Sequence, residues 1–249
     1  MKSDSKTKKF KPNLAKENII LHSISIIIPI FNEKENIVDL LEEIYFFLSS
    51  FINFEIIVVN DASTDFSYEI LKTKKESLLF TVISHKKRMG QSKAILSGIK
   101  ESKYDSIVTI DGDGQNNPKD ILKLIELYFN KEHFDLIGGL RKKRKDNYIK
   151  ILSSIIANKV RMQILGDKCS DTGCSLKIFN KKIFLSFPFF EGIHRFLPSL
   201  FEGVGYKTKY VEVDHRLRIR GKSKYGTWKR LYKGIIDIYK VKTIINKLK

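Results

Sequence analysis

The sequence predicts an α/β protein built on a mostly parallel, doubly wound sheet, with an amphipathic helical segment at its C-terminal end. Three observations predict this. Short β-branched runs alternate with longer stretches of helical periodicity through the first half of the chain. The runs are apolar at consecutive positions, as strands covered on both faces are. Polar residues with oxygen-bearing side chains follow several of these runs at once, at the strand ends where such sheets hold ligands.

Residues 1–22 are Lys-rich and aperiodic and are expected to form a basic flexible tail. Ser25 to Pro29 reads as the first buried strand. Asn32 with Glu35 resembles a helix cap with its return partner, and Ile37, Leu40, Leu41, Ile44, Phe47 and Leu48 then repeat at helical spacing. Glu55 to Val59 is the second buried strand, ending in Asn60-Asp61-Ala62-Ser63-Thr64-Asp65. Another helix follows, then a strand at Phe80 to Ile83, a helix over Ser92 to Lys100, and the strand Ser106 to Ile110. Asn117 as cap and Pro118 at the first helical position start a helix carrying Ile121, Leu122, Leu124, Ile125 and Leu127.

After Leu136-Ile137-Gly138-Gly139 the charge character changes, with a dense cationic run at Arg141 to Lys145. Tyr148 to Leu165 reads as a helix bearing Lys159 and Arg161. Asp171-Thr172-Gly173-Cys174 follows, then a loop-like stretch from Phe187 to Pro198 containing His194-Arg195, a strand at Lys207 to Val213, and a basic loop from Arg216 to Lys224. Residues 23–225 are thus expected to form one large domain. Gly226 to Lys249 reads as a basic amphipathic helix or pair of helices, with Trp228, Leu231, Tyr232, Ile235, Tyr239, Ile245 and Leu248 among lysines.

The chain of 249 residues carries 46 Lys and Arg against 28 Asp and Glu, a formal net charge of +18. That balance favours an anionic partner: nucleic acid, a phosphorylated substrate or an anionic membrane surface. Cys169 and Cys174 match no zinc spacing and fit free thiols in a reducing compartment. The apolar run Ile19 to Pro29 is followed by Phe31-Asn32-Glu33-Lys34-Glu35 and not by a small-residue cleavage site. No apolar run approaches the roughly 18 residues of a spanning helix. A cytoplasmic protein, peripheral on the inner face of the membrane, is expected.

Within so basic a chain, Asp111-Gly112-Asp113-Gly114-Gln115 stands out. Its two carboxylates leave a buried strand end together, and the glycines let the backbone turn there. Asp oxygens with an amide carbonyl such as that of Gln115 suit a hard divalent cation, Mg²⁺ or Mn²⁺. The stretch is not a calcium loop, since position 6 is Asn116 and position 12 is Leu122. Gly221-Lys222-Ser223 lacks the earlier glycine of a phosphate-binding loop, and no dinucleotide-binding glycine motif follows the first strand.

Four ordered motifs carry a family resemblance: Pro29-Ile30-Phe31-Asn32-Glu33, Asn60 to Asp65, Arg88-Met89-Gly90-Gln91-Ser92, and Asp111 to Gln115. Together they resemble the signature of family 2 inverting glycosyltransferases. Asp171 to Cys174, His194-Arg195-Phe196-Leu197-Pro198 and Arg218-Ile219-Arg220-Gly221-Lys222-Ser223-Lys224 resemble the branch that glycosylates dolichyl or undecaprenyl phosphate, the dolichol-phosphate mannosyltransferase type. The resemblance spans about residues 24–240. It implies a GT-A fold and inverting sugar transfer from a GDP- or UDP-linked donor to a polyprenyl phosphate. By the same resemblance Pro29, Asn32, Glu33, Asp61 and Arg88 bind the donor, Asp111 lies between ribose and metal, and Asp113 and Gln115 join it as metal ligands. Asp113, Asp171 and Arg218 are the implied catalytic residues. Arg141, Arg161, Arg195, Ser223 and Lys224 are the candidates for the acceptor phosphate, Arg being suited to bidentate phosphate contacts.

Blander readings stand beside these. Arg141 to Lys145 equally fits a solvated loop, Asp171 a cap or structural acceptor, and Phe196, Leu197 and Trp228 core packing in place of lipid contact. The amphipathic end equally fits packing on the domain or on a second subunit. Many relatives carry Asp where this chain has Asn60, and many continue into transmembrane helices where this sequence stops at Lys249, so peripheral binding or a partner's anchor is expected. A non-lipid acceptor with a hydroxyl nucleophile is the alternative, and it requires a further carboxylate as base near Asp113. Nucleic-acid binding rests on charge alone and gives Asp111 and Asp113 no role.

Overall fold

A computed structural model describes residues 22–75, 77–142, 148–217 and 227–249, with backbone only at 148–154, 156, 227–233 and 235. The expected tail, Lys143 to Lys145, Arg218, Ser223 and Lys224 lie outside these residues, as do the side chains of Trp228, Leu231, Tyr232 and Ile235.

The described residues form seven strands and eight helices. In chain order they are β1 (Ser23–Ile30), α1 (Ile37–Leu48), β2 (Asn53–Asn60), α2 (Ser67–Lys74), β3 (Thr81–Ser84), α3 (Gln91–Glu101), β4 (Ser106–Thr109) and α4 (Asp120–Tyr128). The second half adds β5 (Leu136–Lys142), α5 (Tyr148–Leu165), β6 (Lys177–Asn180), α6 (Lys181–Ser186), α7 (Ile193–Val204), β7 (Thr208–Asp214) and α8 (Thr227–Leu248). One sheet holds all seven strands in the order β3-β2-β1-β4-β6-β5-β7. β1, β2, β3 and β4 run parallel, as do β5 and β7, while β6 is antiparallel to both β4 and β5.

Consecutive apolar residues in the central strands serve two cores. Ile26, Ile28, Ile56 and Val58 face α1 and α4, which contribute Leu41, Ile44, Ile121 and Leu124. Ile27, Ile57, Val59 and Ile107 face the other way, onto α3, α7 and α8. Strand side chains alternate between faces, so an unbroken apolar run is what a doubly covered sheet requires. The chain leaves β1 outward to β2 and β3, then returns to β4 on β1's other side. That reversal opens a crevice between the carboxyl ends of β1 and β4.

Three local readings are corrected. Asn32 caps no helix; its φ of 56° is left-handed, and α1 begins after Asn36, whose N–H bonds the Glu33 carbonyl at 3.0 Å. The α4 helix begins at Asp120, with Pro118 and Lys119 in a turn where Asn117 Oδ1 accepts from the Lys119 N–H at 3.1 Å. The stretch read as a loop holds α7, in which Ile193, Phe196, Leu197, Leu200 and Phe201 face the core and Pro198 is accommodated within the helix. The C-terminal segment is one helix. It docks on the domain through Ile238, Val241, Ile244 and Ile245, leaving Ile236, Tyr239 and Leu248 exposed beside Lys240, Lys242 and Lys247. Among the described residues no helix is long and apolar enough to cross a membrane.

Helix and sheet approach closely at Gly98 of α3, where a Cβ would stand 2.6 Å from Ile27 Cγ2 and 3.1 Å from Val59 Cγ2. Gly98→Val is expected to cost about 3 kcal/mol by overpacking and to lower Tm by roughly 6–12 °C. Gly234→Ala in α8, where a Cβ meets nothing within 4 Å, is expected to leave Tm unchanged or raise it slightly. Thermal denaturation of the two variants checks both.

Candidate active site

The loops following β1, β2, β3 and β4 meet at the carboxyl edge and satisfy one another's polar groups. Asn32 Oδ1 accepts from the Thr64 N–H at 2.7 Å and the Asp65 N–H at 3.3 Å, while its own N–H donates to Ser63 Oγ at 2.9 Å. The Glu33 N–H donates to Ser67 Oγ at 3.0 Å, and its carboxylate accepts from Asn36 Nδ2 at 2.9 Å. Arg88 lies over the Phe31 ring, 4.0 Å from its centroid, and ties the loop after β3 to the loop after β1.

Asp61 is 3% exposed, and its oxygens serve the protein itself. Oδ1 accepts from the Met89 N–H and Oδ2 from the Gly90 N–H, each at 2.8 Å, and His85 Nδ1 lies 2.8 Å from Oδ1. His85 Nε2 in turn meets Ser97 Oγ at 3.0 Å. The carboxylate thereby fixes Gly90, whose φ of 89° is open to glycine and which starts α3. Asp61, expected to line the nucleoside pocket, lies at this edge with its carboxylate held by the 88–90 loop and His85. His85, absent from the sequence-based site, stands directly after β3, where the strand-end rule applied to the other strands points.

Asp111 follows β4 at the centre of the edge. Gln91 Nε2 donates to Oδ1 at 2.7 Å, and the Asp111 N–H donates to Ser175 Oγ at 3.2 Å. Burial first, and the neighbouring Asp113 charge second, push its carboxyl up to about 6, against smaller opposing effects from Ser175, Lys177 and Arg141. Asp113 Oδ1 accepts from the Gln115 N–H at 3.2 Å. The Gln115 carbonyl accepts from the Arg216 N–H at 2.8 Å, and Gln115 Nε2 donates to the Arg216 carbonyl at 3.3 Å, so this amide is tied to the segment after β7. Gly112 fits because a Cβ there would stand 2.5 Å from Ile30 Cγ2. Two neighbouring carboxylates, the charge of Asp113 raising the proton affinity of Asp111, fit a hard divalent cation. Among the described residues no group of three or more His, Cys, Asp or Glu is placed to hold one.

The expected cations divide. Arg141, at the end of β5, is held bidentately by Asp171, with Nε–Oδ2 and Nη2–Oδ1 both 2.7 Å, and lies close enough to act on the Asp111 charge. Asp171 holds Arg141 in place, a contact that fits its reading as a structural acceptor. Arg161 is corrected outright. It is 3% exposed, paired with Asp167 at 2.9 Å through both Nε and Nη2, with Nη1 on Asn158 and Thr172 and Nη2 also on the Cys169 carbonyl. Its fork is filled by the protein, which leaves nothing for an acceptor phosphate. Arg195 pairs with Asp237 of α8 at 2.9 Å. Both cysteines are free and buried.

Beside Asp111, between α3 and α7, a small pocket is lined by Pro29, Gln91, Thr109, Lys177 and His194, among others. Lys177 is 3% exposed and donates to the Cys174 and Thr172 carbonyls. Sequence reasoning missed it because a lysine between Leu176 and Ile178 conceals the short β6.

The family described as "Glycosyl transferase family 2" matches residues 25–186. A dodecaprenyl-phosphate galacturonate synthase from Rhizobium johnstonii is 34% identical over 226 residues, 88% of this chain and 66% of that protein. An undecaprenyl-phosphate 4-deoxy-4-formamido-L-arabinose transferase from Aeromonas hydrophila is 30% identical over 84% of this chain and 64% of its own. The chain thus spans just under two thirds of the length of these relatives. Among solved structures, a glucosyl-3-phosphoglycerate synthase from Mycobacterium tuberculosis in complex with Mg²⁺ and UDP superposes with a TM-score of 0.72 at 16% identity, over 92% of this chain and 84% of that one. A mannosyltransferase from Pyrobaculum calidifontis with GDP-Man and Mn²⁺ gives 0.62 at 16% identity, over 90% and 65%. The sheet and its helices are those of the GT-A fold.

Arg161→Met is expected to destabilise the chain by about 3–5 kcal/mol by leaving Asp167 buried and unpaired. Chemical denaturation checks this, and a stable variant with weakened phosphate binding would contradict it. Asp61→Ala frees the Met89 and Gly90 N–H groups. Hydrogen exchange at these two amides is expected to rise by at least about tenfold.

Proposed function

The chain belongs to glycosyl transferase family 2, and on that premise we propose that it is a metal-dependent, inverting glycosyltransferase moving a sugar from a nucleotide donor to a polyprenyl phosphate. The observation that carries this reading is the Asp111–Asp113 pair, half-buried at the β1–β4 crevice among loops already locked together. The names of the relatives, which act on dodecaprenyl and undecaprenyl phosphate, support the acceptor. The titles of the structural neighbours, bound to UDP or GDP-Man with Mg²⁺ or Mn²⁺, support the donor and the ion.

Asp111 and Asp113 would hold the divalent cation, with Gln115 beside them on the same turn. Such an ion supplies positive charge against the leaving diphosphate, an effect worth several kcal/mol in order of magnitude. The chain's own residues prepare the rest. The Asn32, Glu33 and Asp61 loops present a fixed edge to the nucleoside, and Arg88 on Phe31 brings a cation to it. A lipid monophosphate has a second pKa of about 6 and is largely dianionic at neutral pH. It therefore attacks the anomeric carbon without a strong base, and the leaving nucleoside diphosphate departs from the opposite face. On this reading Asp171 acts by holding Arg141 and not as a base. Arg141, oriented near Asp111, is the described cation best placed for the acceptor phosphate; Arg218, Ser223 and Lys224 are assigned there by resemblance.

The exposed face of α8 carries Lys240, Lys242, Lys247 and Lys249 with Ile236, Tyr239 and Leu248. Such a face suits an anionic leaflet, each lysine contributing on the order of 1 kcal/mol near the surface. The reading places the enzyme on the cytoplasmic side, where nucleotide sugars are available.

Incubation with radiolabelled nucleotide sugars, Mn²⁺ and undecaprenyl phosphate is expected to give a chloroform-soluble, acid-labile product. EDTA is expected to abolish it, and Asp113→Asn to reduce turnover by at least about 100-fold. Label found only in a water-soluble glycan would refute the acceptor, and undiminished turnover in EDTA would refute the metal.

A further inference from the structure

The segment after β7 is stitched to the turn that carries Asp113 and Gln115. The Asp214 N–H donates to Asp120 Oδ2 at 2.6 Å, and Asn116 and His215 form an antiparallel bridge. At Arg216 the backbone meets Gln115 twice. Its N–H donates to the Gln115 carbonyl at 2.8 Å, and its carbonyl accepts from Gln115 Nε2 at 3.3 Å. The Arg216 guanidinium is placed by other partners. Nη1 donates to both carboxylate oxygens of Glu43 in α1, at 2.9 and 2.8 Å, and Nη2 donates to Asn117 Oδ1 at 3.0 Å.

A carboxamide has one donor end and one acceptor end. A carbonyl only accepts, so the Arg216 carbonyl takes the nitrogen end of the Gln115 amide and leaves the oxygen as its other end. Oxygen is the atom that a hard divalent cation takes. An amide turned over would set two oxygens against each other and offer N–H groups to the ion. We propose that Arg216 and Glu43 are positioning residues for the cation site. Glu43 and Asn117 fix the Arg216 side chain, the Arg216 backbone fixes the Gln115 amide, and the amide oxygen is thereby kept available to the ion. The inference rests on the metal reading above. Neither Arg216 nor Glu43 belongs to the motifs that carry the family resemblance. A partner bonded directly to a metal ligand typically changes affinity by about 10–100-fold. The Glu43–Arg216 pair acts one step further out, and its side chains are 36% and 34% exposed, so a smaller effect is expected of it.

The test is Mn²⁺ binding to the metal-free protein, followed through the EPR signal of the free ion, alone and with UDP or GDP present. Arg216→Ala and Glu43→Ala are each expected to weaken Mn²⁺ about fivefold. The two together are expected to cost no more than either alone, since they act through one contact. In a Gln115→Ala background, Arg216→Ala is expected to cost nothing further. Arg216→Lys can meet Glu43 but cannot fork to Asn117, and is expected to fall between wild type and Arg216→Ala. A readout independent of the ion is hydrogen exchange of the Gln115 side-chain amide in the metal-free protein, expected to rise at least about threefold in Arg216→Ala. Additive losses in either double variant would overturn the proposal. So would a lowered Tm with Mn²⁺ affinity and Gln115 exchange unchanged, which would make the contact a brace of the fold alone. Wild type that binds no Mn²⁺ under any of these conditions would remove the metal reading as well; Mn²⁺ binding left unaffected by Arg216→Ala would remove this inference alone.

Discussion

A carboxylate held in a crevice at the end of the central strand β4 is the constraint from which the rest of the site follows. Desolvation at Asp111 and a second carboxylate, Asp113, raise the cost of its charge. The fold answers with fixed dipoles and nearby cations. Gln91 donates to it from the start of α3, and Arg141 and Lys177 favour its ionised form from β5 and β6. Gln91 can do this only because Gly90 is pinned, and Gly90 is pinned by Asp61, which is itself braced by His85. One acid at the switch point is thus supported through two further loops.

That support is built before any ligand arrives. Asn32 holds residues 63–65, Glu33 meets Ser67, and Arg88 covers Phe31. Each bond joins the end of one parallel strand to the end of another, residues about thirty apart or more in sequence for the first two pairs. Parallel strands bring their carboxyl ends to one edge, where the backbone must find partners outside the ladder. A rigid polar edge costs little further ordering on binding, which favours tight recognition of a charged ligand.

The large positive charge is not one resource. Arg161 is consumed inside the protein by Asp167, Asn158 and Thr172, Arg195 by Asp237, and Arg216 by Glu43 at 2.8 Å. These arginines join α5 to the loop after it, α7 to α8, and the segment after β7 to α1. Arg141 is held too, yet it stays near Asp111, and the lysines of α8 stay on its outer face. A count of cations in the sequence therefore overstates what is offered to phosphates, because an ion pair inside the fold and a phosphate contact draw on the same residue type.

The sequence by itself determined the doubly wound sheet, the boundaries of α5, the convergence of Asn32, Glu33, Asp61 and Asp111 at strand ends, and the family. These depend on local apolar periodicity and on short motifs, which are read without knowing what lies across the sheet. It did not reveal β6, whose four residues contain the buried Lys177, or α7, whose Pro198 reads as a breaker until its apolar face is seen against β5 and α8. It also could not say that Asp61 serves the 88–90 loop, that Asp171 serves Arg141, or that Ser92 serves His194, a contact across 102 positions. Those assignments belong to the tertiary structure alone. A side chain's chemistry gives the bonds it can make, and only the folding of distant segments onto one edge decides which partner takes them.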